Sequence, residues 1–322
     1  MKKRILLGII VSVTFLYLVL RNVDLGNLAE ILYGGRYLWI FPALVTYTLA
    51  FVFRSIRWSY LLLPVKKFGA KELFPSLIMG FAANNIFPMR FGEVVRAYIV
   101  GKKFNISKSA SFATIVLERI MDGIGILTLL AVSIPFLPKL PPWTKKIIFI
   151  SIMMFIVPFI VAAVLIIKKH SFNWMLKASC LKKNLGEMLV SKVNKFIMGF
   201  EVIKDTRNFL MVFAFTLLVW FCETMNLFFL VRVVGIELSL FLSVFVLFVV
   251  ALGVAIPAAP SSIGTFEFFF VGGLVFFGVT KEQALAGGLV IHCIGFILII
   301  LAGAYFFVKE GISYKEMTVK NQ

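Results

Sequence analysis

Negative charge is scarce in this chain, with 15 Asp and Glu against 33 Lys and Arg among 322 residues. Charged residues of either sign make up only 15%, where a soluble globular chain carries about 25%. Histidine occurs twice and cysteine three times. His170 and His292 form no HExxH, and no His-rich or Asp-rich cluster appears. That argues against a metal hydrolase or a histidine phosphatase and leaves a carboxylate-based transferase open. Cys180, Cys222 and Cys293 are far apart with no CxxC, which excludes a disulfide scaffold or a metal knuckle. No Walker motif is present, so ATP is not expected as the driver. No cofactor and no metal is called for.

What is abundant is apolar. Hydrophobic residues are 61%, Phe alone occurs 36 times, and mean hydropathy is +1.00. Such a chain cannot cover itself with polar surface, so most of it belongs in lipid. The net charge of +18 would suggest nucleic acid in a soluble protein. Here it fits basic loops facing anionic headgroups on the cytoplasmic side, so membrane lipids are the expected partners and nucleic acid is not. Met1-Lys2-Lys3-Arg4 before the run 5–20 resembles a signal peptide, but Arg21-Asn22-Val23-Asp24 follows where a small-residue cleavage site would be. The run is taken as a retained transmembrane helix with its N-terminus inside, in the plasma (inner) membrane.

A spanning helix needs about 20 apolar residues. Runs at 5–20, 38–61, 109–134, 147–167, 209–231 and 284–308 qualify, while 73–100 and 239–279 are apolar but broken by Pro, Gly, Asn and charge. Lys and Arg orient them. Arg54, Arg57, Lys66, Lys67 and Lys71 precede the first broken stretch, and Lys102, Lys103 and Lys108 follow it. Both flanks are basic, so 73–100 is predicted to be a re-entrant hairpin from the cytoplasm. With that hairpin the strongly basic segment 168–207 also falls inside, and 239–279, which has few charges on either flank, is predicted to be a second hairpin dipping from outside. Both termini are then cytoplasmic. The predicted fold is an all-α integral membrane protein, a polytopic helical bundle with two re-entrant hairpins. One repeat occupies 38–134 and an inverted one 209–308, an order that places binding sites near the midplane. Segment 168–207 has apolar residues at helical spacing. It suits amphipathic helices on the inner membrane face or a linker helix packed on the bundle.

Ionisable groups at membrane depth cost on the order of 3 kcal/mol each unless paired or hydrated. The first cluster is Asn84-Asn85-Ile86-Phe87-Pro88-Met89-Arg90-Phe91-Gly92-Glu93-Val94-Val95-Arg96. Pro88 ends the incoming helix, Gly92 lets the backbone turn, Asn84 and Asn85 satisfy freed backbone groups, and Glu93 is three residues from both Arg90 and Arg96. Either the arginines make a pocket for an anionic headgroup, or the charges neutralise one another and hold the hairpin. The second cluster, Glu118-Arg119-Ile120-Met121-Asp122, is either a counter-charge or proton site, or a clasp between helix and hairpin. The third runs from Pro257 through Pro260, Ser261, Ser262 and Gly264 to Glu267. There two prolines break a helix and Ser262 or Thr265 is a possible cap for the next. Glu223 and His292 are expected to be satisfied buried partners.

The runs NNIFPMRFGEVVRAYIV, ATIVLERIMDGIGIL and PAAPSSIGTFE, in that order, resemble the lysylphosphatidylglycerol synthase transmembrane-region family over about 5–308. Where that family commonly shows Pro-Gly-Gly, this chain has Pro260-Ser261-Ser262. The resemblance implies a flippase-like domain that moves a polar lipid between leaflets, aminoacylated phosphatidylglycerol in some members and other polar lipids in others. No aminoacyl-transferase domain appears in these residues, so the expected protein is a transporter rather than the synthase, and no enzyme. A lipid-modifying transferase or a non-catalytic membrane partner is the alternative.

Overall fold

Hydrocarbon offers the backbone no water, so its hydrogen bonds must close within helices. The computed structural model describes residues 2–87, 91–138, 140–168, 183–256 and 258–311, and among them every regular element is helical. The α-helices are α1 (Lys2–Leu20), α2 (Leu25–Tyr33), α3 (Ile40–Leu62), α4 (Ala70–Ile86), α5 (Gly92–Lys103) and α6 (Lys108–Ser133). They continue with α7 (Thr144–Ile167), α8 (Lys183–Met198), α9 (Thr206–Val233), α10 (Leu240–Ala255), α11 (Thr265–Val275) and α12 (Lys281–Lys309). Local sequence marks several starts. Asp24, Ser107, Asp205, Ser239 and Thr280 each accept a hydrogen bond from the first turn of the helix they precede.

The chain is a multi-pass membrane protein. The stretch Tyr37–Leu62, which includes α3, and the helices α7, α9 and α12 are long and apolar enough to cross a bilayer. Helix α1 covers the run 5–20, and its stretch Gly8–Leu20 bends by 86° into α2, Leu25–Tyr33. The expected span 109–134 is α6, whose 26 residues suffice in length. It carries Glu118, Arg119 and Asp122 at its middle, and Glu118 and Asp122 are buried among neighbouring helices. Lipid-facing apolar surface is instead displayed by α7, where Phe149, Ile160, Val161 and Ile167 are exposed.

Both broken stretches form helical hairpins. Helix α4 packs on α5, and α10 on α11. They have 17, 12, 16 and 11 residues, or roughly 26, 18, 24 and 17 Å at about 1.5 Å per residue, short of the ~30 Å hydrocarbon core. The packing repeats across the molecule. Helix α3 lies along α9, α4 packs on α12 as α10 packs on α6, and α5 packs on α6 as α11 packs on α12. Each hairpin is thus held partly by the other half of the chain.

Close approach explains Gly92 better than turning does. A Cβ there would lie 2.0 Å from the Gly80 carbonyl oxygen and 2.6 Å from the Asn84 backbone nitrogen, so bare backbone lets α5 cross α4. Pro88 and Arg90 lie outside the described residues. In the second hairpin, Ser261 (φ 57°), Ser262 (φ 59°) and Gly264 (φ 88°) are all left-handed, a conformation that glycine takes freely and a side chain does not. The cap of α11 is Gly264 rather than Ser262 or Thr265: its N–H donates to Glu267, which reaches back at 2.6 Å.

Of segment 168–207, residues 169–182, with His170 and Cys180, lie outside the described residues. Helix α8 and the turn after it pack on the bundle: Ile197, Phe200 and Val202 join the apolar core of the first half. Helix α1 docks on the second hairpin, where the Ser12 hydroxyl accepts from the Ala259 N–H at 2.9 Å.

Candidate functional site

Two polar clusters occupy the interior. The first centres on Glu118 of α6, which is fully buried. Arg96 of α5 donates from both terminal nitrogens to its two oxygens at 3.0 and 2.8 Å. Arg119 donates to it at 2.6 Å, and Arg57 of α3 stands 3.3 Å away. Arg57 also donates to Asp122 at 2.5 Å and to Thr216 of α9 at 3.2 Å. Arg119 pairs with Asp122 at 3.3 Å and with Glu93 at 3.5 Å. Among the described residues, three guanidiniums meet three carboxylates and their charges balance. Arg96 lies 3.5 Å from the Trp58 ring centre, and the Trp58 N–H donates to Thr114 at 3.1 Å.

This arrangement redistributes the expected partners. Glu93 meets Arg119, and Arg96 is taken up by Glu118. Arg96 is only 2% exposed, so an anion would have to displace Glu118 to reach it. Arg119, with 30% of its side chain exposed, and Glu93, with 21%, form the open edge. Asn84 belongs to the hairpin itself, its amide oxygen against Gly92. Arg54 and Arg57 enter the sequence reading as basic flanks of a span, yet both side chains are inside the bundle: Arg57 is fully buried and Arg54 pairs with Glu223 of α9 at 2.6 Å. The signal was their position inside the apolar run 38–61, three residues apart and hence on one helix face.

The second cluster lies where the hairpin tips approach each other. Glu267 of α11 bonds Nδ1 of His292 from α12 at 2.5 Å. Nε2 of His292 lies 2.9 Å from the Ser261 hydroxyl, which lies 3.4 Å from the Asn85 amide oxygen of the first hairpin. Asn85, Ser261 and His292 line a cavity of about 220 Å³, together with Tyr47, Glu223 and Asn226. Pro260 opens the turn carrying Ser261, and Gly264 is pressed against the Ser12 carbonyl, 2.3 Å from where a Cβ would be. Glu223 and His292 are satisfied partners, as expected, and both also face the cavity. On the other side of His292 runs an apolar groove of about 470 Å³ walled by Leu16, Leu20, Leu285, Leu289 and Ile297. His292 and Phe296 belong to both spaces. The two clusters meet at Phe81: the guanidinium of Arg54 lies 5.3 Å from its ring centre and that of Arg119 6.0 Å.

Among the described residues no three His, Cys, Asp or Glu side chains gather as a metal site would require.

The family profile described as "Lysylphosphatidylglycerol synthase TM region" matches residues 5–303. A UPF0104 membrane protein of Methanothermobacter thermautotrophicus is 23% identical, covering 98% of both chains. One from Methanocaldococcus jannaschii is 26% identical over 70% of this chain and 92% of its own. Glycosyltransferase AglD of Haloferax volcanii is 28% identical over 37% of this chain, a match that spans only 19% of that protein. No solved structure gives a significant match.

Proposed function

Because the chain belongs to the lysylphosphatidylglycerol synthase transmembrane-region family, we propose that it moves a polar lipid between the leaflets of the plasma membrane without ATP. One observation carries this reading: a polar cavity between the hairpin tips and an apolar groove share His292 and Phe296. A lipid has the same two parts. Its headgroup would occupy the cavity against Asn85, Glu223, Asn226 and Ser261 while an acyl chain lies in the groove. The site, near the inward ends of two hairpins too short to span, shortens the distance the headgroup must travel through hydrocarbon.

The Arg54–Glu223 pair favours an anionic or aminoacylated headgroup. Glu223 lines the cavity and Arg54 stands behind it over the Phe51 and Phe81 rings, with 12% of the Arg54 and 22% of the Glu223 side chain exposed. A phosphate exchanges for the carboxylate on Arg54, and an ammonium exchanges for the guanidinium on Glu223, so a headgroup carrying both replaces each partner one for one. The closed network around Glu118 holds the first hairpin in place during this exchange. In this reading both termini and both flanks of the first hairpin are cytoplasmic, and Lys67→Cys and Lys102→Cys should label from the same side.

Purified protein in liposomes with a fluorescent phosphatidylglycerol, bleached from outside by dithionite, tests the proposal. The protein should bring the bleached fraction from about half toward completion. Bleaching that stops where protein-free vesicles stop, for both phosphatidylglycerol and its lysyl derivative, refutes it.

A further inference from the structure

Ser261, His292 and Glu267 stand in the order a serine nucleophile requires. The Glu267 carboxylate is fixed by the Gly264 N–H at 2.6 Å and takes Nδ1 of His292 at 2.5 Å. With the Nδ1 proton on that carboxylate's side, Nε2 is the free base, and it lies 2.9 Å from Ser261 Oγ. The base is thereby oriented by a buried acid whose own position is set by a helix start.

Ser261 is held unusually. Its φ of 57° and ψ of 8° lie in the left-handed region, which a side chain enters only at a cost and which recurs at catalytic turns. Glycine would take that conformation freely. The hydroxyl therefore sits at a backbone position that favours its absence, and it faces the cavity rather than the packed core. The Asn85 amide is 3.4 Å from Oγ. Turned about its last side-chain bond, it presents an N–H to an oxygen developing beside the serine, which is the role of an oxyanion donor. The apolar groove on the far side of His292 offers room for a hydrocarbon chain.

We propose that Ser261 is a catalytic nucleophile and that the chain cleaves long-chain carboxylic esters. Ser261 Oγ attacks the ester carbonyl and gives its proton to His292 Nε2. The tetrahedral intermediate collapses, the carbon–oxygen bond to the alcohol breaks, and the departing alcohol takes the proton from His292. Water then attacks the acyl-Ser261 ester with His292 again as base. A carboxylic acid leaves and the serine hydroxyl is restored, so one ester and one water give one acid and one alcohol. Glu267 is a positioning residue, since it acts through His292. This proposal does not rest on lipid movement and is tested apart from it.

The test is covalent capture. Purified protein in detergent micelles is treated with an alkyl fluorophosphonate, which phosphonylates an activated serine as fluoride leaves, and the modified peptide is mapped by mass spectrometry. The adduct is expected on Ser261. His292→Gln should slow labelling by about 100-fold or more, the usual worth of a general base, and Glu267→Gln should slow it less. A p-nitrophenyl ester of a ten-carbon acid should be hydrolysed by the unmodified chain and not by Ser261→Ala. If Ser261→Ala does not fold, the site of the adduct in the unmodified chain decides alone. Folded protein that carries no adduct on Ser261 after prolonged exposure overturns the proposal, and so does a labelling rate that His292→Gln leaves unchanged.

Discussion

The two polar clusters differ in residue type and in whether they are closed. Around Glu118, every described carboxylate faces a guanidinium, the Trp58 ring covers the flat face of Arg96, and Glu118, Arg57 and Arg96 are almost without solvent contact. Around His292, one carboxylate meets one imidazole, and hydroxyl and amide groups border an open cavity. Charge alone does not identify a binding site in a membrane interior. A set in which each charge meets its opposite holds helices together; polar groups left facing a space can exchange partners with a ligand.

The comparison is broken most severely at Glu118. Glu118→Gln leaves the buried Arg57 and Arg96 and the partly exposed Arg119 with two described carboxylates and should cost about 3–5 kcal/mol, seen as loss of monodisperse protein or a large fall in melting temperature. Adding Arg96→Met restores neutrality, two against two, and should recover a good part of that loss. If the double variant is the sum of the two singles, the network is not coupled as described.

Gly92→Ala tests the hairpin crossing. The added methyl meets the backbone of Gly80 and Asn84, which cannot rotate away as a side chain can, so a destabilisation of about 1–3 kcal/mol is expected. A melting temperature equal to that of the unmodified chain would show that α4 and α5 approach less closely.

A smaller effect of opposite sign is expected at Ser262, whose φ is 59°. Ser262→Gly relieves a left-handed side chain and should stabilise by about 1 kcal/mol, within the cost of that conformation. Ser261→Gly relieves the same strain and also removes the hydroxyl on His292, so it should stabilise less. Equal gains at both positions would mean that the Ser261–His292 bond contributes nothing.

Much of the scaffold was legible in the sequence. The stretches 73–100 and 239–279 fold as hairpins because Pro, Gly and polar residues interrupt apolar runs where water is absent. The network was half legible. Glu118 and Asp122 stood out as acids four apart on one helix, but Arg57 did not, since a basic residue near the end of a span is easily counted as its flank. Here it turns inward to Asp122 and Thr216. The second cluster was the least legible. His292 and Glu267 are 25 residues apart and Asn85 and Ser261 are 176 apart, so no local spacing announces their meeting. Helix α1 illustrates the same limit: its apolar sequence shows a membrane segment, while the docking of Ser12 on Ala259 depends on a fold that brings positions 247 apart together.

The central claim is that the open cluster carries function and the closed one carries structure. Its most direct measurement is lipid movement per folded molecule by the paired variant Arg54→Gln with Glu223→Gln, reconstituted in the same liposomes as the unmodified chain. The pair is replaced by neutral groups of similar shape, so the melting temperature should change little. Movement of fluorescent phosphatidylglycerol should fall at least about tenfold, equivalent to roughly 1.4 kcal/mol on the barrier. Movement at the unmodified rate, in a variant that remains folded, would contradict the account.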